Sequence, residues 1–157
     1  PQVPLRRALI WTVASALVGD LPGERDDWGR VRVDAELAVQ HTPAVWAAGD
    51  IAHTTAAPGQ IAPMSCQFAM PTGSVAGHNA AAALNGARPI EFDQRDYLTC
   101  VDLGAAGALV TTGWNRQVLV TGEAAKDVKR HITRIAIRPN TAAELLAAVT
   151  AARQPNR

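Results

Sequence analysis

The side chain best placed to do chemistry stands at the end of a short apolar run. In "TPAVWAAGDIA", residues 42–52, Val45 to Ala48 read as a buried strand that stops at Gly49-Asp50. Gly49 lacks a side chain, so a ligand can come close to the main chain there. Asp50 supplies a carboxylate able to accept hydrogen bonds from a polyol or a ribose. In α/β proteins ligands gather at the carboxyl ends of parallel strands, which makes binding one reading of this position. An Asp at a strand end also caps the next helical turn, and the pair alone leaves both roles open.

Other reactive groups are sparse. The two cysteines, Cys66 and Cys100, form no C-x-x-C pair, so neither a redox dithiol nor a zinc knuckle is readable; they read as two reduced, buried thiols of a cytoplasmic protein. No metal-ligating set stands out. The four histidines read as satisfied polar residues rather than catalysts. No general acid or base is convincing, so no catalytic residue is assigned. The 157 residues carry a net charge of +1, with 48% hydrophobic and 18% charged residues. That balance is ordinary for a globular protein and gives no electrostatic footprint for nucleic acid. No apolar run is long enough to span a bilayer, and the N-terminus lacks the layout of a secretory signal.

The elements that must hold Asp50 follow from periodicity. "ALIWTV", 8–13, reads as a strand, and "GDLPGERDDWGR", 19–30, as turn chemistry. "VRVDAEL" alternates and implies a short strand at 31–33. Residues 53–64 read as a loop. The Ala- and Gly-rich stretch from Ser65 to Asn85 predicts a helix, with Gly86 as its cap and 72–85 as its clearest part. Pro71 makes 65–70 either a first turn before a kink or a separate turn. Packing of so many small residues fits a plain buried helix or a close approach to a flat ligand. "NGARPIEFDQRD", 85–96, shifts composition, and two domains are expected, 1–86 and 87–157. In the second, "YLTCVDLG" and "ALVTTG" read as a hairpin and "QVLVTG" as a third strand. Residues 123–134 predict an amphipathic helix with Ala125, Val128 and Ile132 on its apolar face. Residues 141–152 predict a last helix, with Thr141 and Glu144 as a capping box.

"HTPAVWAAGD" resembles the second flavin-binding motif of the FAD-dependent pyridine nucleotide oxidoreductases, with Thr42, Val45, Trp46, Ala47, Ala48, Gly49 and Asp50 in order. "LIWTV", "GRVRVDAEL" and "PMSCQFAMPTGSVAGHNAAAALNG" resemble the segments that flank this motif in that family. "CVDLGAAGALVTTGW" and "VLVTGEAAKDVKRHI" resemble the C-terminal region of its type II NADH dehydrogenase group. The resemblance implies an α/β fold: the end of an FAD-binding domain followed by a small α+β C-terminal domain. It implies that Asp50 holds the ribityl chain of FAD and that Gly49 permits its close approach. The backbone N–H groups near Cys66, Gln67 and Phe68 would then face the pyrimidine edge, where a helix N-terminus favours negative charge. Gln67 matches the first of two glutamines that border the quinone site; Pro71 stands at the second and cannot supply that amide. NADH or NADPH would be the electron donor, bound mainly by a region upstream of the matched residues, and a quinone or similar small acceptor would take the electrons. The resemblance also leaves room for a homodimer and for peripheral contact with the inner face of a membrane.

Some features depart from that family. None of the twelve glycines stands in a Gly-x-Gly pair, so no dinucleotide fingerprint is present. Val13-Ala14 follow Trp11-Thr12 where a small residue and Gly are usual. The chain therefore reads as the C-terminal piece of a longer enzyme, inactive by itself. An alternative makes it a non-catalytic α/β interaction module or a decayed piece of such an enzyme. The disulfide-reductase branch is a further alternative, but no His-Pro pair is present to relay its protons.

Overall fold

A computed structural model of the protein describes residues 23–136, together with 141 and 143. The strand expected at 8–13 and nearly all of the helix expected at 141–152 lie outside the described residues. The described chain is mixed α/β and falls into two compact units that divide between Asp93 and Gln94. That division lies inside the Gly- and Pro-bearing stretch 85–96.

In the first unit, β1 (Val31–Arg32) pairs in parallel with β2 (Ala52–His53). The expected strand at 45–48 forms only one bridge, Trp46 with Ala38, flanked by Val39 N–H donating to Val45 O and Ala47 N–H donating to Leu37 O. The turn between these arms uses left-handed backbone at His41 and Ala44, which bends the chain too sharply for a regular ladder. A single helical turn at Gly49–Ile51 then delivers the chain into β2. The loop expected at 53–64 contains an antiparallel hairpin, β3 (Thr55–Ala57) and β4 (Gln60–Ile61), joined through Pro58-Gly59. That Pro-Gly pair was a legible turn signal.

Helix α1 spans Cys66–Asn85 and runs through Pro71 as one element. Proline near a helix start costs one main-chain bond, which buried packing along the rest of the helix offsets. Gly86 adopts the left-handed conformation expected of a cap, and the N–H groups of Gly86 and Ala87 both reach Ala82 O. Asn79 is buried and staples the helix to two other segments. Its Nδ2 donates to Glu36 O and Ile90 O, and its Oδ1 accepts from Ile90 N–H. The core of this unit includes Val31, Leu37, Ile51, Phe68 and a series of alanines, which allow close approach.

The second unit is a three-stranded antiparallel sheet in the order β5 (Leu98–Asp102), β6 (Ala108–Thr112), β7 (Gln117–Thr121). The Gly104–Gly107 connection expected from sequence joins β5 to β6. Helix α2 (Gly122–His131) covers one face, with Ala125 and Val128 packed on Ala108, Val110, Cys100 and Val120. Ile132, expected on the same helical face, begins a wider turn at Ile132–Ala136. Lys126 Nζ donates to Asp102 and Gly104 O, and Lys129 Nζ to Cys100 O, so two of the basic residues pin α2 to β5 and the turn that follows it.

Candidate functional site

Asp50 lies in the middle of the Gly49–Ile51 turn. Gly49 has φ of +71°, a conformation in which an L side chain would be strained, so glycine is favoured here for backbone reasons. Asp50 is half-exposed and makes no hydrogen bond or ion pair among the described residues, leaving its acceptor oxygens open. Ile51 is buried and anchors the turn in the core.

The turn meets the beginning of α1. Gly49 N–H donates to Thr72 Oγ1 at 2.9 Å. Thr72 lies within hydrogen-bond distance of Phe68 O at 2.6 Å and Ala69 O at 3.1 Å, and its single proton can go to either. One buried hydroxyl thus ties the Asp50 turn to the first turns of the helix that carries Cys66, Gln67 and Phe68. The sequence expectation joined these two elements but named no residue that connects them. Thr72 was hidden because a threonine in a helix usually back-bonds to its own chain.

The three helix residues differ in what they offer. Cys66, expected to be buried, is instead exposed, because it stands at the first turn of α1, and it forms no disulfide. Gln67 is half-buried. Phe68 has its side chain buried in the core, and its N–H donates to Ser65 O, as does that of Ala69. Phe68 thus belongs to the core and its N–H is already paired, which leaves Cys66 and Gln67 to carry the earlier N–H positions of the helix. Ser65, at the N-cap, does not use its side chain to cap; its hydroxyl is buried and has no hydrogen-bond partner among the described residues. The open Asp50 carboxylate, the left-handed Gly49 and the N-terminal end of α1 are thus brought close together.

A second polar cluster was not foreseen. Asp26 Oδ2 accepts from Arg30 Nε at 2.6 Å and from His53 Nδ1 at 2.8 Å. Its Oδ1 accepts from the N–H groups of Trp28 and Arg30. Arg30 also donates to Ala62 O and lies over the Trp28 ring. Burial raises the Asp26 carboxyl, but the bonds from His53 and from the main chain and guanidinium of Arg30 outweigh it. They hold the group well below the usual carboxylate range. The cluster clasps the 24–30 loop to β2, the strand that leaves the Asp50 turn. An Asp and an Arg four apart in a Gly-bearing turn were the available signal. Among the described residues, no group of three or more His, Cys, Asp or Glu is placed to hold a metal, and no helix is long and apolar enough to cross a membrane.

No family model matches the sequence. The chain is 39% identical over 145 residues to proteins described as NADH dehydrogenase-like in two strains of Mycobacterium tuberculosis, CDC 1551 / Oshkosh and ATCC 25618 / H37Rv. The match covers 90% of this chain and 36% of each relative, so the chain spans little more than a third of their length. Over nearly all of its residues, the α/β chain that presents Asp50 beside the start of α1 is thus similar to a segment of NADH dehydrogenase-like proteins.

Proposed function

We propose that this chain forms one wall of the flavin site in an FAD-dependent NAD(P)H oxidoreductase that passes electrons to a quinone-like acceptor. The observation that carries this reading is the Gly49 N–H to Thr72 bond, which sets the Asp50 turn against the beginning of α1. Similarity to NADH dehydrogenase-like proteins supports the reaction class. Asp50 would accept hydrogen bonds from the ribityl hydroxyls. The N-terminal end of α1 would favour negative charge at the pyrimidine edge by roughly 0.3–2 kcal/mol. Gln67 would offer its amide to the acceptor. FAD, when bound, supplies the hydride and electron chemistry, and the protein supplies position and electrostatics. No side chain of this chain is assigned as an acid or base, because hydride transfer needs none.

The test uses the full natural chain that contains these residues. It is purified, examined for a yellow chromophore and titrated with FAD. Binding with oxidation of NADH or NADPH by a quinone analogue is the expected result. Asp50→Ala should weaken FAD about tenfold or more, the loss of a charged hydrogen-bond acceptor being worth about 1.5–3 kcal/mol. A colourless full chain that cannot be reconstituted with FAD would overturn the reading and favour a non-catalytic module.

A further inference from the structure

The geometry points to Thr72 as a positioning residue that fixes the Gly49–Asp50 turn relative to the start of α1, and so sets how the two halves of the site face one ligand. This inference rests on the flavin reading above. Thr72 is 1% exposed, so its hydroxyl exchanges no bonds with solvent. It has one proton to give and lone pairs to receive. The short 2.6 Å separation from Phe68 O marks that carbonyl as the main acceptor, with Ala69 O at 3.1 Å secondary. The lone pairs then accept Gly49 N–H at 2.9 Å. The result is a relay of two bonds, Gly49 N–H to Thr72 Oγ1 and Thr72 O–H to Phe68 O. At one end is the amide next to Asp50. At the other is the helix turn that opens at Cys66 and Gln67.

Sequence context reinforces the role. Pro71, immediately before Thr72, has no N–H, so the usual main-chain bond to Gln67 O cannot form. The side-chain bond from Thr72 reinforces the adjacent carbonyl in the same turn. Gly49 has φ of +71° and its N–H sits in a part-buried contact, where an unpaired donor is costly. Removing the hydroxyl leaves that N–H without its acceptor and frees the turn to shift. A displacement of a few tenths of an ångström at Asp50 is enough to misalign a hydrogen bond to a ligand. Thr72 touches no ligand in this scheme; it acts through Gly49 and Asp50.

The test compares wild type, Thr72→Val and Thr72→Ser in the full natural chain, with Thr72→Ala used if the valine variant does not fold. Two quantities are read: the dissociation constant for FAD and the hydrogen-exchange rate of the Gly49 amide. Thr72→Val should weaken FAD about tenfold and speed Gly49 exchange at least as much, while exchange in the middle of α1 stays unchanged. Thr72→Ser keeps the hydroxyl and should stay within about threefold of wild type on both. A valine or alanine variant that binds FAD as tightly as wild type overturns the positioning role. If wild type takes up no FAD, the flavin reading fails, and Gly49 exchange alone then decides whether Thr72 holds the turn. Unchanged exchange in the valine or alanine variant overturns that as well.

Discussion

Asp26→Asn should expose how much the clasp beneath the candidate site contributes. The Asp26 and Arg30 side chains are 10% and 7% exposed, so the carboxylate and guanidinium meet largely out of water. Breaking a buried pair by neutralising one member costs roughly 3–5 kcal/mol, because the remaining charge is left without compensation. Asparagine retains an oxygen for the Trp28 and Arg30 amides, which places the expected loss near the lower end, about 3 kcal/mol. For a chain of this length that is a drop in Tm of about 6–12 °C. The pH dependence gives an independent reading. The folded carboxyl lies well below its ordinary value because bonds from His53 and Arg30 overcome the effect of burial. A depressed pKa stabilises the fold above the unfolded value, about 3.9, and that stability is lost as pH falls through the folded value. The gap between wild type and Asp26→Asn should therefore be full above about pH 5 and narrow progressively below about pH 4. Thermal and urea unfolding at a series of pH values measure it. A gap under about 1 kcal/mol at pH 7, or one that does not change with acid, would refute the assignment of a buried charged clasp.

Asn79→Leu should cost about 2–4 kcal/mol by denaturant unfolding, since it orphans the Ile90 N–H and two carbonyls in a buried place. Gly107→Ala should destabilise the second unit by at least about 2 kcal/mol: φ is +91°, and the added carbon would lie 2.6 Å from the Gly122 main chain. Its thermal transition should fall while far-ultraviolet dichroism of the folded state is retained. Leu119→Lys on β7 should change stability by no more than about 0.5 kcal/mol, because Leu119 is 59% exposed.

The elements with strong local composition and turn signals are legible in the sequence. Gly86 marked the end of α1, and β-forming runs separated by a Gly-bearing turn in 98–121 marked the sheet of the second unit, because those signals come from local backbone preference. The 45–48 strand was overestimated. Its apolar run is real, but left-handed turns at His41 and Ala44 limit it to one bridge, and a run of apolar residues does not encode the bend before it. The reverse error occurred at 53–64, where two short strands escaped notice because neither is long enough to show a period. At the candidate site, Gly49 and Asp50 could be read from type and order. Thr72, Asp26 and His53 could not, since each acts through a partner more than twenty residues away and a single sequence does not display such pairings.

The contrast between the two thiols offers a practical handle. Cys66 opens α1 in contact with solvent, whereas Cys100 is half-buried, with its Sγ near Ala125 O. A maleimide dye added to the unaltered protein would attach first at the mouth of α1. Its fluorescence would then report whether added FAD changes the surroundings of Cys66, without introducing or removing any residue.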